Sequence, residues 1–337
     1  MMMNPKKVAL LKGGWNSERE VSLSSAQSVL PALKESGFTV LEIDVTRDIQ
    51  AFIRQLFDFS PDVVFLNALH GQYVEDGMMQ GLMEMLGYPY TGSDVVSSAV
   101  AFDKGRSRAL FEANNISIPK GQVFKAADFF AQDHPIFPYP FVAKPLNEGS
   151  SVGVFIIKTL SDFKEAAQKW HYGETVLAED YIPGRELSVA FKGHQALGVL
   201  ELRPKEGFYD YKAKYTAGLA DHVMPADLSK SDYEAVMSMA TRAVKALGVA
   251  GVSRVDVRFD DSRCDGDRAF VLEVNTLPGM TSLSIVPEIA NYAGYDYKTL
   301  CKWMVENSIC SQEKNLSQNL QDAEKLPVEK KRAHSLA

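Results

Sequence analysis

Val252-Ser-Arg-Val-Asp-Val-Arg-Phe259, an aspartate-rich turn, and Phe270-Val-Leu-Glu-Val-Asn275 read together as a β-hairpin. Side chains alternate faces with a period of two. Val255, Val257 and Phe259 therefore share one face of the first strand, and Arg254, Asp256 and Arg258 the other. In the second strand the alternation puts Phe270, Leu272 and Val274 on one face, with Glu273 and Asn275 opposite. Joining the apolar faces in a core leaves Arg254, Asp256, Glu273 and Asn275 on a common polar face. Two carboxylates and an amide oxygen are hard ligands that suit Mg²⁺, which keeps the rest of its octahedron for water and phosphate. The same pattern also fits a solvated sheet face with cross-strand ion pairs, and the hairpin alone leaves both readings open.

Before the hairpin, Tyr233, Val236, Met237, Ala240, Val244 and Leu247 form a helical stripe ended by Gly248, preceded by strands over 185–191 and 195–202. Further back, a helix over 104–114 leads through the proline-rich stretch 135–140 to strands at 141–144 and 154–157. The first hundred residues have a different rhythm: strand 8–11, helix 22–36 closed by Gly37, strand 39–44, a stripe of Ile49, Phe52, Ile53, Leu56 and Phe57 stopped by Pro61, then strand 63–67. That βαβ order predicts a parallel sheet, with α+β units after it. Expected boundaries are 1–103, 104–184 and 185–310, followed by a polar tail, 311–337, expected to be disordered. Ligands collect at the carboxyl ends of parallel strands, where Gly13-Gly14 and His70-Gly71 fall.

Composition narrows the function classes. The 337 residues are 46% hydrophobic and 23% charged, with no run near the roughly 18 apolar residues of a membrane span. A membrane protein is not expected, and residues 1–11 are too short in apolar character for a secretory signal. Thirty-six basic against 43 acidic residues give −7, which disfavours nucleic acid as a partner because phosphate binding leaves a basic footprint. Three cysteines without CxxC spacing argue against a disulfide framework or structural zinc and for a reducing cytoplasm.

Between two apolar strands lies Asn147-Glu-Gly-Ser-Ser-Val-Gly153, whose small residues allow backbone N–H groups and hydroxyls to approach phosphate. The chain has neither GxxxxGK[ST] nor GxGxxG. Lys144 and Lys104 could supply phosphate charge, or be ordinary surface lysines. The segment from Leu177 to Glu186 could pair its backbone with an adenine edge while Glu186 binds ribose, or be an acidic linker. His70 is at a strand end, though a lone histidine is often structural.

Together these segments resemble the D-alanine–D-alanine ligases of the ATP-grasp superfamily. The resemblance runs from about Val8 to Trp303. It rests on Gly13-Gly-Trp-Asn-Ser-Glu-Arg-Glu-Val-Ser-Leu23, Ala68-Leu-His-Gly71, Glu75-Asp-Gly77, Tyr90-Thr-Gly-Ser93, Glu148-Gly-Ser-Ser-Val-Gly153, Tyr209-Asp-Tyr-Lys-Ala-Lys-Tyr215, Arg254-Val-Asp256 and Glu273-Val-Asn-Thr-Leu-Pro-Gly-Met-Thr-Ser282. So many motifs in order outweigh the bland reading of each one.

The resemblance implies an α/β amino-terminal domain followed by a two-lobed ATP-grasp fold. It makes Glu18 the partner of the first D-alanine's ammonium, with His70 beside it, and has Ser150 and Tyr215 bond with Glu18 to shut a loop over the site. Lys104, Lys144, Ser151, Glu179, Glu186 and Lys214 are implied to hold ATP, with the backbone of Asp180 and Ile182 near adenine and Phe208 on the ring. Asp256, Glu273 and Asn275 are implied ligands of two Mg²⁺ ions, with Mn²⁺ able to substitute. Arg254 and the Gly279 amide form the implied oxyanion site, and Ser284 and Ile285 bind the second D-alanine. A homodimer is implied as well.

The chemistry so implied is ATP-driven dipeptide formation through an acyl phosphate, for peptidoglycan precursors. A ligase with another acceptor, such as D-lactate, is the alternative, and a non-catalytic ATP-binding protein is disfavoured by the intact metal set. Val74 stands where the family commonly has glycine, which puts the backbone near His70 in question.

Overall fold

The computed structural model describes residues 6–149, 152–205, 220–264, 267–281 and 283–310. β1 (Lys7–Gly13), α1 (Arg19–Glu35), β2 (Thr39–Val45), α2 (Ile49–Phe59) and β3 (Val63–Phe65) build a parallel sheet of order β2-β1-β3. In α2, Asp48 accepts the Ala51 N–H and so caps the helix, and Phe52 and Leu56 of the expected stripe are buried. The helix ends at Phe59, one residue before the left-handed Ser60 and two before Pro61. β3 is shorter than expected, because its ladder with β1 ends at the Leu10–Phe65 pair. Beyond it the Leu66 N–H turns to the Thr91 hydroxyl.

α3 (Met78–Leu86) and α4 (Val95–Phe102) lead to α5 (Lys104–Ala113), whose first turn is capped by Asp103 accepting from the Gly105 and Arg106 amides. A four-stranded antiparallel sheet follows, built from β4 (Gly121–Lys125), β5 (Phe141–Lys144), β6 (Phe155–Ile157) and β7 (Thr175–Asp180) in the order β4-β7-β5-β6. α6 (Ala126–Phe130) and α7 (Leu160–Lys169) cover one face. There Phe129 meets Phe124, Phe130, Phe141 and Phe163 at ring separations of 5.1, 5.1, 6.2 and 5.6 Å. The core of this unit draws only on its own residues.

The third sheet is antiparallel, ordered β10-β9-β8-β11-β12 from β8 (Arg185–Lys192), β9 (Gln195–Pro204), β10 (Ala220–Val223), β11 (Val252–Phe259) and β12 (Ala269–Asn275). α8 (Lys230–Ala246) packs on one side through Val236, Met239, Ala240, Ala243 and Val244. On the other side lie α9 (Ile285–Tyr292) and α10 (Tyr297–Glu306), in a core that runs without a break to Val8, Leu10, Val29 and Phe65 of the first sheet. The first and third sheets thus share a core, and the four-stranded sheet faces them across a cleft.

The hairpin departs from simple alternation. Arg254 pairs with Asn275, Val255 with Val274 and Asp256 with Glu273, after which a bulge shifts the register so that Val257 pairs with Val271 and Arg258 with Phe270. One extra residue sends every following side chain to the opposite face. Ala269, Val271 and Val274 therefore join Val255, Val257 and Phe259 in the core, whereas Leu272 faces the cleft. The expected apolar face of Phe270, Leu272 and Val274 is corrected accordingly, and the polar face of Arg254, Asp256, Glu273 and Asn275 stands as the register places it.

Candidate active site

Two connected cavities open between the sheets. The first lies between the four-stranded sheet and the hairpin. Its apolar walls include Val142, Ile156, Ile182 and Leu272, and its polar groups include Lys104, Lys144, Glu186, Asp256 and Glu273. An apolar cleft carrying several charged groups on its lining suits a nucleotide. The second is bounded by Glu18, His70, Glu75, Arg254, Asn275 and Gly279, among others. Lys104, Glu148 and Glu273 line both.

At their junction the Lys104 ammonium, at the start of α5, donates to the Glu148 carbonyl at 2.8 Å and lies 3.0 Å from Glu273. Lys144 is 2.5 Å from Glu179, whose other oxygen accepts from Arg108 at 2.9 Å. Glu179 is thus a buried carboxylate between two cations, and its side chain orients Lys144. Arg258 donates to the Ile182 and Gly184 carbonyls at 3.1 and 2.8 Å and lies 3.6 Å from Glu186. It fixes the 180–184 turn that joins the lobes. The Asp180 N–H is taken by the Lys120 carbonyl at 2.8 Å.

The expected metal ligands meet across β11 and β12. Arg254 holds both oxygens of Asp256 at 2.7 Å, and the Ser188 hydroxyl donates to one of them at 2.7 Å. Asn275 accepts the Leu277 N–H at 2.8 Å. No group of three or more His, Cys, Asp or Glu side chains is placed to hold a metal among the described residues. The hairpin set is two carboxylates and an amide, all oxygen donors lining the cleft, and this chemistry fits Mg²⁺ or Mn²⁺.

The second cavity is strongly acidic. Glu18, 6% exposed, opens α1, and a β-carbon at Gly71 would lie 2.6 Å from its carboxylate. His70 is sandwiched: its Nδ1 lies 3.2 Å from the Leu277 carbonyl and its Nε2 2.9 Å from the Ser25 hydroxyl. A carbonyl opposite Nδ1 requires the proton there, so Nε2 accepts from Ser25. Burial lowers the His70 pKa, against the raising effect of Glu18, and keeps the ring neutral. Burial, with Glu18 adding to it, pushes Glu75 up to about 8. The same two causes raise Glu148.

Val74 has an ordinary backbone and is buried in the amino-terminal core. Its neighbour Tyr73 carries the left-handed conformation, at φ 73. Gly279 lines the second cavity and packs closely on Ser284, whose hydroxyl accepts the Thr281 N–H at 2.9 Å. Ile285 is 8% exposed, with its side chain in the core, so that only its backbone at the start of α9 is free to face a ligand. Ser150, Ser151, Phe208, Lys214 and Tyr215 lie outside the described residues, as does the tail 311–337.

Sequence reading missed four contributors. Glu75 was quoted only as part of a motif, Arg108 and Arg258 carry no motif at all, and Leu272 was hidden by the bulge.

A family model described as D-ala D-ala ligase C-terminus matches residues 110–306. The D-alanine--D-alanine ligase of Paramagnetospirillum magneticum is 46% identical over 307 residues, which is 90% of this chain and 99% of that protein. The chain belongs to the D-alanine–D-alanine ligase family. Another member, from Parvibaculum lavamentivorans, is 46% identical over 92% of this chain and 99% of its own length. Among solved structures, the Bacillus anthracis D-alanine--D-alanine ligase superposes with a TM-score of 0.77 at 29% identity, covering 89% of this chain and 96% of that one. The same enzyme complexed with ATP gives a TM-score of 0.74 at 28% identity, over 90% and 97% of the two chains. The family's ATP-grasp fold accounts for the cleft between an antiparallel sheet and a second lobe. No described helix is long and apolar enough to cross a membrane.

Proposed function

We propose that this protein joins two D-alanine molecules into D-alanyl-D-alanine, driven by ATP, to supply peptidoglycan precursors. One observation carries the reading: in a chain of this family, the apolar-walled cavity and the acidic cavity share Lys104, Glu148 and Glu273. A γ-phosphate entering from one side then reaches a carboxylate held on the other.

The donor D-alanine presents its ammonium to Glu18, beside a neutral His70, with its carboxylate toward Lys104. A carboxylate is a poor electrophile, so its oxygen attacks the γ-phosphorus, the bond to the β-phosphate oxygen breaks, and ADP leaves behind an acyl phosphate. Lys104 and Lys144 offset the phosphoryl charge. Asp256, Glu273 and Asn275 are the residues to hold two Mg²⁺ ions, which would neutralise phosphate charge there. The second amine then attacks the acyl carbon, the C–N bond forms, and phosphate departs. Arg254, held by Asp256, and the Gly279 amide stabilise the oxyanion. On the nucleotide, Val142, Ile156, Ile182 and Leu272 enclose the base, and Glu186 meets the ribose. Ser150, Ser151, Phe208, Lys214 and Tyr215 enter by resemblance as the closing and phosphate-binding groups, and Ser284 with the Ile285 backbone as the acceptor site. The three units 1–103, 104–184 and 185–310, a homodimer and a cytoplasmic setting belong to the same reading.

ADP release from the purified protein should require both D-alanine and Mg²⁺, with dipeptide formed in step and L-alanine inactive. Equal ADP release without D-alanine sinks the assignment. Predominant depsipeptide from equal D-alanine and D-lactate at pH 7.5 replaces it with an ester-forming ligase.

A further inference from the structure

We propose that Asn16 is a positioning residue for the donor site, a single side-chain amide that straps the loop carrying Glu18 to the loop carrying His70 and Glu75; this rests on the ligase reading above.

The two loops leave the carboxyl ends of neighbouring parallel strands, β1 and β3, and are more than fifty residues apart in sequence. No strand pairing holds them beyond Phe65. Asn16 bridges the gap with both of its amide hydrogens and its carbonyl oxygen. Its Nδ2 donates to the His70 carbonyl at 2.8 Å and to the Gln72 carbonyl at 2.9 Å, while its Oδ1 accepts the Glu18 N–H at 2.9 Å. An amide offers two donors and an acceptor on one short stem. Serine and aspartate cannot make all three bonds.

The closeness of the loops shows at Gly71, between the two strapped carbonyls. With φ +80, it would place a β-carbon 2.6 Å from the Glu18 carboxylate and 2.9 Å from Asn16 Nδ2. Glu18 and the amide therefore press on the same backbone. Beside the strap, the Trp15 and Tyr73 rings lie 5.1 Å apart and join the same two loops. Tyr73 adopts φ 73, a conformation disfavoured for a bulky side chain. Its N–H is held by Asp76 at 2.8 Å. A bulky residue keeps such a backbone only where its surroundings over-determine it, and the clasp of Asn16, Trp15 and Asp76 does that. The strap sets the distance between the carboxylate for the donor ammonium and the neutral His70, without itself touching substrate.

The test compares wild type with Asn16→Ala and Asn16→Asp. The steady-state readouts are the Michaelis constants for ATP and, fitted separately, for the two D-alanine sites. Hydrogen exchange of segments 13–18 and 70–77 is followed in parallel. Asn16→Ala should raise the donor constant about tenfold and leave the ATP constant within twofold. Asn16→Asp should do worse, because a carboxylate then faces two carbonyls and Glu18. Exchange in both segments should quicken while the melting temperature stays nearly unchanged. An unchanged donor constant, or equal rises in all three constants, overturns the strap while wild-type dipeptide synthesis leaves the ligase reading standing. If wild type makes no dipeptide, that reading falls, and the strap is then decided by exchange alone: unchanged rates at 70–77 in Asn16→Ala refute it.

Discussion

Glu75 is a carboxyl group enclosed with Glu18 and His70, and its proton is held up to about pH 8. In the unfolded chain it would be released near 4.5. A carboxyl whose folded pKa is raised contributes stability fully present below the unfolded value and lost as pH climbs to the folded one. From pH 5 to 8.5 the wild type should therefore lose melting temperature that Glu75→Gln retains, with the two curves converging at acid pH. At about 1.4 kcal/mol per pKa unit, reduced by relaxation and coupling to Glu18, the difference at pH 8.5 is on the order of 2 kcal/mol. That corresponds to roughly 3 °C for a chain of this size. His70 acts in the opposite sense, since burial lowers its pKa, so it contributes stability that is lost as pH falls below about 6.5. Both variants share that acid limb. Parallel melting curves for wild type and Glu75→Gln across the alkaline window would remove Glu75 as a protonated group of the site.

The β11–β12 hairpin shows which level of structure the residues disclose. The strands, the turn and the polar set of Arg254, Asp256, Glu273 and Asn275 are legible from alternation, because a period of two needs no knowledge of the partner. The bulge after Asp256 is not, since it is set by how two strands pair and which residues the core of α8 demands. Two substitutions separate the assignments. Leu272→Ala should raise the Michaelis constant for ATP about tenfold, roughly the 1.4 kcal/mol expected for losing part of a buried apolar contact, with little change in melting temperature. Val271→Ala should lower melting temperature and leave the ATP constant alone; the reverse pattern restores simple alternation. Other features escape for the same reason. Arg108 on Glu179 and Asn16 on His70 span long sequence separations, and the cation partners of a carboxylate cannot be ranked without a fold. The helical stripes of α2 and α8 were open to reading because each needs only its own 3.6-residue period. A third test concerns Gly153, at φ +72, where a β-carbon would lie 2.9 Å from the Tyr172 ring. Gly153→Ala should displace the end of the 147–153 loop and weaken ATP affinity severalfold, while Tyr172→Phe should behave as wild type.

At the scale of the molecule, the four-stranded sheet has a core of its own, while the first and third sheets share one. The cavity proposed for the nucleotide lies where these two bodies face each other, so a nucleotide bound there would contact both at once. A ligand that binds only the folded, closed arrangement stabilises it by about 2.7 kcal/mol at a hundred times its dissociation constant. That predicts a rise in melting temperature on the order of 4 °C with Mg²⁺ and a non-hydrolysable ATP analogue. The hairpin carboxylates decide how much of this needs the metal. Asp256 pairs with Arg254 and Glu273 with Lys104. Triphosphate without a dication would compete for those two cations and leave the carboxylates facing it, so like-charge repulsion cancels part of the gain. With EDTA the rise should shrink to a degree or two. Glu273→Gln, which keeps the side-chain shape and removes one charge, should give a small rise whether or not Mg²⁺ is present, and should lose most dipeptide synthesis. An equal rise for wild type in Mg²⁺ and in EDTA would show that the polar hairpin face is a set of ion pairs and not a metal site.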